Sequence, residues 1–507
     1  MASTIPELFD AAVERTPDEL WLQFEDSAYT FDQARARVAV AAARLGELGV
    51  RRNSKVLATM SNSPAHLFLW LALMRAGAVL VPANPRSSSA ELAGLTNQVK
   101  PEVLIIGPEP SSNAEQTGAR SIPIEYFARG QGSHESSSAA RPDDVAVMIP
   151  TSGTTGRSKL VMQTQRAYAM AGEGFPFWLG LTADDRLMTS LPLFHINAPA
   201  YSVLGSLAVG AGLVLLPHFS GTRFIDSARR YGATEFNAIG AMLEILMRQP
   251  ERADDADNPL RLCYTGPSPA KERQLEIERR FGFEIVCGYA LSETPYALIW
   301  KRGTRPFETL GSPRQHPTLG EVNRARVVAG GREVGPGEEG ELQLSNPAVM
   351  VGYYGMPEET RSVLSKGWLS TGDLVRVNHD GTYTFVARKK EVIRRRGENL
   401  SPLEVEAALE KHPAVLEAAV VGVPSDLTEE EVKAFVVLDQ NSSVTLADLR
   451  SHAAGALAAY KVPRFFEAVA EFPHTPTGRI AKHELPRERT GSEEDFGDRA
   501  EHGAARS

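Results

Sequence analysis

The hydrophobic and polar positions of the first hundred residues alternate between helical and strand periodicity. Apolar residues recur at helical spacing from Ile5 and over residues 31–48 and 64–76. Short apolar runs between these segments, at residues 55–59 and 79–81, are typical of buried strands. A chain that alternates strand and helix in this way predicts an α/β fold, with helices packed on largely parallel sheets.

The periodicity changes twice further along the chain. Residues 108–142 are mostly polar apart from an apolar piece at 122–127, and we interpret them as a surface connection with one short strand. After Ser401 the predicted order is helix (403–412), strand (415–423), strand (433–438) and helix (446–457), which indicates a separate α+β domain. The predicted division is a large multi-sheet domain over 1–389, a small domain over 390–486 and a disordered tail over 487–507.

Composition restricts the classes of function. The 507 residues are 42% hydrophobic and 23% charged, which is ordinary for a globular protein, and the net charge of -9 argues against nucleic acid as the main partner. The N-terminus has no basic, apolar leader, and the most apolar run, 67–74, is too short to cross a bilayer. We therefore predict a cytoplasmic protein without a membrane partner, in which Cys263 and Cys287 are reduced core residues.

A segment rich in glycine and hydroxyl groups follows the apolar run at residues 145–149. It reads Thr151-Ser152-Gly153-Thr154-Thr155-Gly156-Arg157-Ser158-Lys159. Its short side chains let backbone N–H groups approach a phosphate, its hydroxyls add donors, and Lys159 supplies a cation. A Walker phosphate loop is excluded because Lys159 precedes Leu160 rather than Ser or Thr. For this segment alone, a surface turn rich in Ser, Thr and Gly remains an equal alternative.

Residues suited to nucleotide binding follow downstream. Tyr289, Ser292 and Glu293 share one short segment and offer a flat ring for a base, a hydroxyl for a phosphate and a hard oxygen anion for Mg²⁺. Asp373 follows Thr371-Gly372, and one carboxylate suits the two hydroxyls of a ribose. A lone Thr-Gly-Asp is most often a turn, so the order of the segments carries the argument.

Taken together and in this order, the segments resemble the adenylate-forming (ANL) superfamily, over nearly the whole chain. The acyl-CoA ligase branch is favoured because Arg395-Arg396-Gly397-Glu398-Asn399 is similar to the hinge of the crotonobetaine/carnitine-CoA ligase type. The resemblance implies nucleotide binding by Thr151, Ser152, Gly153, Thr154, Thr155, Gly156, Gly266, Pro267, Ser268, Gly288, Tyr289, Ala290, Leu291, Ser292, Asp373 and Arg388. It implies an acyl pocket formed by His195, Asn237, Gly240, Ala241, Met242, Gly266 and Pro295.

The resemblance also implies roles in chemistry and in domain motion. Lys159, Glu293, Arg479 and His195 match catalytic positions, Glu293 matches the Mg²⁺ ligand, and Lys390 matches the hinge about which a small mobile domain swings. Arg395, Arg396 and Gly397 match positions at the CoA tunnel.

Three of these assignments have plain structural alternatives. A histidine such as His195 is more often structural than catalytic, and we assign it to gating of the acyl pocket rather than to acid–base chemistry. Gly240 and Ala241 either leave room for an acyl group or permit helix–sheet packing. The basic run at 394–396 is either a solvated surface or a CoA phosphate site.

The implied reaction has two steps and uses ATP, Mg²⁺ and coenzyme A. A carboxylic acid attacks the α-phosphate of ATP to give an acyl-adenylate (acyl-AMP) and pyrophosphate, and CoA then displaces AMP. Two residues at positions that the resemblance assigns to the adenylation step differ from the family's. Arg479 stands where the family has lysine, and Leu160 stands where it has glycine after the loop lysine.

We therefore predict that adenylation is weak or lost, and that the chain accepts an acyl-adenylate from a separate adenylating enzyme. The alternative is a complete ATP-dependent ligase, in which Arg479 works or Lys482 substitutes for it. A stand-alone amino-acid adenylating domain is disfavoured because residues 194–201 and 236–242 hold no carboxylate for an ammonium.

Overall fold

The computed structural model describes residues 3–108, 118–128, 138–151, 158–266, 268–389, 391–395, 398–425, 430–440, 442–474 and 480–497. The α-helices of these residues are α1 Ile5–Arg15, α2 Phe31–Glu47, α3 Pro64–Ala76, α4 Ser89–Val99, α5 Gln165–Leu179, α6 Leu204–Val209, α7 Phe224–Tyr231, α8 Gly240–Met247, α9 Lys271–Phe281, α10 Pro357–Val363, α11 Pro402–Glu410 and α12 Leu446–Ala456. A π-helical turn, Ala198–Val203, precedes α6.

The first strands are β1 Leu20–Phe24, β2 Ser27–Thr30, β3 Lys55–Thr59, β4 Val79–Ala83, β5 Val103–Ile106, β6 Ser121–Pro123, β7 Val145–Thr151, β8 Lys159–Thr164, β9 Arg186–Thr189, β10 Gly212–Leu215, β11 Glu235–Asn237, β12 Leu262–Thr265, β13 Glu284–Leu291 and β14 Thr294–Ile299. The later strands are β15 Ser312–Pro313, β16 Arg324–Ala329, β17 Arg332–Glu333, β18 Glu339–Ser345, β19 Gly352–Tyr353, β20 Leu364–Ser365, β21 Trp368–Val377, β22 Tyr383–Arg388, β23 Ile393–Arg395, β24 Glu398–Leu400, β25 Val415–Pro424, β26 Glu430–Leu438, β27 Phe465–Ala468 and β28 Glu494–Asp495.

The chain divides into two compact units. The first comprises Met1–Arg326, Gln343–Ser370 and Asp380–Tyr383, and the second comprises Val327–Leu342, Thr371–His379 and Thr384–Ser507. The boundary between residues 389 and 390 that the sequence suggests stays a prediction.

Two large sheets form the framework of the first unit. One has the order β15-β14-β13-β12-β11-β9-β10-β1-β2, and its strands run parallel from β13 to β1. The other has the order β19-β8-β7-β4-β3-β5-β6, and its strands run parallel from β7 to β6. The α/β fold class with largely parallel sheets is therefore confirmed.

Local sequence signals explain several element boundaries. The Ser63 hydroxyl caps the start of α3, and Gly77 ends that helix in the left-handed conformation with φ of 65°. The short strand expected at 122–127 is present but its extent was wrong, because β6 covers only Ser121–Pro123 and a 3₁₀ turn covers Ile124–Ala128. Ile124 and Phe127 are both buried, and their spacing of three residues suits a helical turn rather than a strand.

The second unit contains a sheet of order β25-β26-β27-β28, and α11 packs against β25. Its last strand, β28, pairs antiparallel with Phe465 and Phe466 of β27. Lys433, on β26, is fully buried, and its ammonium lies 2.7 Å from Glu467 and 3.3 Å from Glu493. The strand β28 lies within the segment for which the sequence predicts disorder, so periodicity gave no sign of it.

The core of the first unit contains an ionisable group in an apolar setting. Glu235 is fully buried, and neither of its carboxyl oxygens has a hydrogen-bond partner among the described residues. Burial raises the pKa of Glu235 well above its usual value, and the negative charge of Asp185 adds to the effect. The folded protein therefore keeps a proton on Glu235 that the unfolded chain releases above its ordinary carboxyl pKa.

Replacing Glu235 should alter how stability depends on pH. A carboxyl group whose pKa is raised by folding stabilises the protein fully below the unfolded pKa and progressively less as pH rises, by up to about 1.4 kcal/mol per pH unit. In urea unfolding, the free energy of unfolding should therefore fall more steeply for the wild type than for Glu235→Gln as the pH rises above the ordinary carboxyl pKa. Glu272→Gln, at an exposed position on α9, is the control. An unchanged slope in Glu235→Gln would show that this group ionises normally.

Candidate active site

The predicted phosphate-binding segment lies between two paired strands. Thr151 at the end of β7 is the register partner of Lys159 at the start of β8, and the Thr151 hydroxyl donates to the Lys159 carbonyl at 3.3 Å. The intervening predicted residues Ser152, Gly153, Thr154, Thr155 and Gly156 lie outside the described residues. The hairpin therefore fixes the positions at which this segment begins and ends, and the roles of the five residues stay predictions.

Lys159 and Glu293 are linked by one aromatic side chain. The Lys159 ammonium lies 4.6 Å from the ring centroid of Tyr353, and the Tyr353 hydroxyl donates to Glu293 Oε1 at 2.8 Å. Burial raises the pKa of Tyr353, and the charge of Glu293 raises it further, so the hydroxyl stays protonated and able to donate. Residues far apart in the sequence thus bring the predicted phosphate cation and the predicted Mg²⁺ ligand into one cluster.

Backbone pairing holds this cluster in place. β19 pairs with β8, with Tyr353 opposite Val161, and the Met350 N–H donates to the Glu293 carbonyl at 2.7 Å. The Gln163 side chain on β8 donates to the Ser292 carbonyl at 2.6 Å. No pattern in the sequence indicates a role for Tyr353. The available signal was an aromatic pair after Gly352, between two other motifs.

The carboxylate of Glu293 suits the metal that the resemblance implies. Mg²⁺ prefers oxygen ligands and is commonly held by one or two carboxylates together with substrate phosphates. Glu293 is partly exposed, and Oε1 is oriented by Tyr353. Among the described residues no group of three or more His, Cys, Asp or Glu side chains could hold a metal ion.

Removing the Tyr353 hydroxyl should weaken metal-dependent nucleotide binding. Hydrogen bonds to charged groups contribute about 1.5–3 kcal/mol, so Tyr353→Phe should raise the Kd for ATP about tenfold in the presence of Mg²⁺ and little in its absence. Calorimetric titration with and without a chelator measures the difference.

The neighbouring Tyr354 provides a matched control for this variant. Its hydroxyl also contacts a lysine, accepting from Lys55 Nζ at 3.1 Å, but it does not touch Glu293. Equal losses in Tyr353→Phe and Tyr354→Phe would point to a general packing effect and contradict the assigned role.

Two glycines allow the predicted nucleotide-binding strands to lie close together. A Cβ at Gly266, directly after β12, would overlap the carbonyl oxygen of Gly288 on β13, and a Cβ at Gly288 would lie 2.7 Å from the Tyr264 hydroxyl. Tyr289, Ala290 and Leu291 continue β13 along β14, with a register shift between Tyr289 and Leu291. The Ser268 hydroxyl donates to the Pro269 carbonyl at 3.2 Å, and Pro267 lies outside the described residues.

Two residues predicted to line the acyl pocket each have one polar atom without a hydrogen-bond partner among the described residues. His195 lies in the turn after β9; burial lowers its pKa to about 4, and its Nε2 has no partner among the described residues. Its neutral ring agrees with a gating role, which stays a prediction. Asn237 is fully buried and donates to Asn197 Oδ1 at 2.6 Å, while its own oxygen is unpaired in the described part of the chain.

The small residues after β11 leave space. A Cβ at Gly240, the first residue of α8, would meet no heavy atom within 4 Å, so close helix–sheet packing does not require this glycine. Ala241 is exposed, whereas Met242 is buried in the core. Pro295 is buried, and its carbonyl oxygen accepts from the Tyr201 hydroxyl at 2.6 Å. The open space beside Gly240 favours the interpretation that this residue leaves room for an acyl group.

In the second unit the two predicted ribose-binding residues are in contact. Asp373 on β21 is fully buried, and its Oδ1 lies 2.8 Å from Arg388 Nε on the adjacent strand β22. The Asp373 N–H donates to the Thr371 hydroxyl at 3.1 Å, and that hydroxyl donates to the Leu342 carbonyl at 2.8 Å. Residues of two consecutive motifs are thus neighbours in one sheet.

Arg395, a predicted CoA-binding residue, is buried inside the second unit. Its guanidinium lies 2.7 Å from Glu431, which is 1% exposed, and donates to the carbonyls of Tyr460 and Val462 at 2.9 and 3.0 Å. Its role in CoA binding stays a prediction that this burial does not favour. Lys390, Arg396, Gly397 and Arg479 lie outside the described residues.

Two residues near Arg479 in the sequence, Lys482 and His474, form ion pairs. Lys482 Nζ lies 2.6 Å from the buried Glu406, whose second oxygen it also reaches at 2.8 Å. His474 Nε2 lies 3.1 Å from Glu417, and His474 pairs with Ile480 through a backbone bridge. Lys482 is thus already bound to a carboxylate of its own unit.

Comparison with known proteins gives consistent matches over most of the chain. The family described as AMP-binding enzyme matches residues 9–354, and the AMP-binding enzyme C-terminal domain matches residues 404–479. Crotonobetaine/carnitine–CoA ligase from Salmonella heidelberg is 29% identical over 468 residues, which cover 86% of this chain and 89% of that protein. The protein of that name from Salmonella paratyphi C is 30% identical over 470 residues, with the same coverage of 86% and 89%.

Solved structures match over a still larger share of the chain. ATP-bound MatB from Rhodopseudomonas palustris superposes with a TM-score of 0.86 at 25% identity, covering 94% of this chain and 97% of that one. The o-succinylbenzoate CoA synthetase MenE from Bacillus subtilis, in complex with the acyl-adenylate intermediate OSB-AMP, gives a TM-score of 0.86 at 25% identity, with coverage of 96% and 98%. No helix of the described residues is long and apolar enough to cross a bilayer.

Proposed function

Because this chain belongs to the AMP-binding enzyme family and is an acid–thiol ligase, we propose that it forms an acyl-CoA thioester from an acyl-adenylate and CoA, while its own adenylation step is weak or lost. The observation that carries the proposal is Arg479, which stands at the position of the family's adenylation lysine. Arginine keeps the positive charge but replaces a compact ammonium with a planar fork. Small misplacements of a catalytic group can cost about a hundredfold in rate.

The contacts of Lys482 support this reading over its main alternative. A complete ligase could use Lys482 in place of the missing lysine. That side chain is 2.6 Å from the buried carboxylate of Glu406, and recruiting it elsewhere would leave an unpaired charge in the interior. The alternative that remains is a complete ligase in which Arg479 itself serves adenylation.

In the thioester-forming step, the thiolate sulfur of CoA attacks the acyl carbonyl carbon of the adenylate. The carbon–sulfur bond forms as the bond from carbon to the phosphate oxygen breaks, AMP leaves with the bonding electrons, and the thiol proton passes to solvent. In this proposal Tyr289 packs on the adenine, and Ser292 and Lys159 bind the phosphate. Glu293 would hold Mg²⁺, which would supply charge neutralisation during adenylation.

The acid and the source of the adenylate are open to direct test. The names of the relatives suggest crotonobetaine and carnitine as trial acids, and those of the solved structures suggest o-succinylbenzoate. Because the adenylate would come from elsewhere, we include a separate adenylating enzyme as a partner in this proposal.

Separate assays of the two half-reactions test the proposal. In the first, wild-type protein receives synthetic acyl-adenylates and CoA without ATP, and acyl-CoA is measured by mass spectrometry. In the second, it receives the matching acids with Mg²⁺ and ATP, and pyrophosphate release is measured. We expect thioester in the first assay and at most about one hundredth of that rate in the second. Comparable rates would establish the complete ligase instead.

A further inference from the structure

A buried arginine in the first unit has no acidic partner among the residues that the structure describes. Arg314 is 1% exposed, and its guanidinium donates to the Tyr201 hydroxyl and the Pro295 carbonyl at 2.9 Å each, to the Leu298 carbonyl at 3.0 Å and to the Tyr264 hydroxyl. None of the ion pairs among the described residues includes Arg314. Arginine stays protonated in proteins, so a full positive charge is enclosed here.

Several groups around Arg314 belong to segments predicted to form the acyl pocket or lie next to one. Tyr201 follows the turn of His195, Tyr264 is the register partner of Asn237, and Pro295 is itself a predicted pocket residue. A Cβ at Gly288 would lie 3.0 Å from Arg314 Nη2. The guanidinium therefore contacts one predicted pocket residue, Pro295, and the strand partner of another, Asn237.

Neutral groups stabilise this charge without cancelling it. The guanidinium lies 4.4 Å from the ring of Trp178, an arrangement in which the ring face attracts the cation. The carboxylate of Glu173, on the same helix as Trp178, lies 3.4 Å from His316. Tyrosine hydroxyls, carbonyls and aromatic faces are dipoles and quadrupoles, so the field of the cation extends into the space beside them.

We propose that Arg314 selects the acyl group by charge, and this inference rests on the proposed function because it places the acyl group beside Pro295 and Asn237. The pocket takes acids whose acyl part is neutral or carries an anionic or hydrogen-bond-accepting group. It rejects acids that carry a cation, such as the trimethylammonium acids named above. Burying a second cation next to the first, in a region of low dielectric, is unfavourable because neither has a carboxylate to pair with.

The test compares binding of three non-hydrolysable acyl-sulfamoyladenosines of matched chain length. Their acyl groups are γ-trimethylammoniobutyryl, its neutral tert-butyl isostere and glutaryl. Calorimetry with wild-type protein should give a Kd for the cationic compound at least about tenfold higher than for the isostere, and a Kd for the glutaryl compound no higher than for the isostere. Equal affinities for the cationic and neutral compounds would overturn the proposal, as would the absence of binding by all three.

Two variants separate charge from structure at this position. Arg314→Lys and Arg314→Met both lose the forked hydrogen bonds, but only the first keeps a cation. The lysine variant should keep the discrimination against the trimethylammonium group, and the methionine variant should lose it. Equal selectivity in both variants contradicts the proposal. If neither folds, the wild-type affinities still decide the question.

Binding also keeps this inference separate from the proposed function. If the analogues bind with the expected selectivity while no adenylate yields acyl-CoA, the proposed function fails and the charge selection stands. If acyl-CoA forms equally well from cationic and neutral adenylates, the charge selection fails and the proposed function stands.

Discussion

Arg479→Lys is expected to raise the rate of pyrophosphate release by about a hundredfold with an acid that the pocket accepts. The substitution restores the compact ammonium for which the family's adenylation site is shaped, in place of a longer planar group. Single-turnover assays with Mg²⁺, ATP and the acid measure this step directly. The thioester-forming rate from a synthetic acyl-adenylate should change little, because that step follows the departure of pyrophosphate.

Lys482→Arg is the matched control for this gain. It makes the opposite exchange of cations three residues away and keeps a partner for Glu406. It should leave both half-reactions within about twofold of the wild type. Normal pyrophosphate release by the wild type, or an unchanged rate in Arg479→Lys, would contradict the proposal that Arg479 limits adenylation.

Arg395→Met is expected to destabilise the second unit by about 3–5 kcal/mol. Removing one partner of a buried ion pair leaves the other charge unpaired, and Glu431 is 1% exposed beneath Arg395. The loss should appear as a lower midpoint of denaturant unfolding. The KM for CoA, measured well below that midpoint, should stay near the wild-type value.

Arg394→Met provides the comparison, because Arg394 is adjacent in sequence and exposed. Surface substitutions usually change stability by less than about 0.5 kcal/mol. A large rise in the KM for CoA in Arg395→Met with unchanged stability would instead support the CoA-binding role that the sequence suggests for Arg395.

The sequence predicts elements well where the signal is local. The helix over Pro64–Ala76 has apolar spacing, a serine before its first residue and a glycine after its last, so its bounds follow from nearby residues. The strand Lys55–Thr59 is likewise confirmed. The 3₁₀ turn at Ile124–Ala128 was missed because a short apolar piece such as 122–127 fits a strand and a helical turn equally well.

Functional contacts between distant segments have no comparable local signal. Motif order identifies Lys159 and Glu293. Tyr353, which contacts both, lies 60 residues beyond Glu293 in the sequence, and only the pairing of β19 with β8 brings it there. Arg314 shows the same limit. No motif marks its segment, and the tyrosine hydroxyls that accept its hydrogen bonds are 50 and 113 residues away in the sequence. Arg395 shows the converse, because a basic run suggests a surface although tertiary packing buries this member.

The strand β28 extends the sheet of the second unit beyond the residues that match the family's C-terminal domain. The match to the family's C-terminal domain stops at residue 479, whereas Glu494–Asp495 completes the sheet beside β27. A shorter chain cut at the family boundary would expose the hydrogen-bonding edge of β27 and remove Glu493 from Lys433. Open edges recruit strands from other molecules, so such a chain would be prone to aggregate even with every family motif intact.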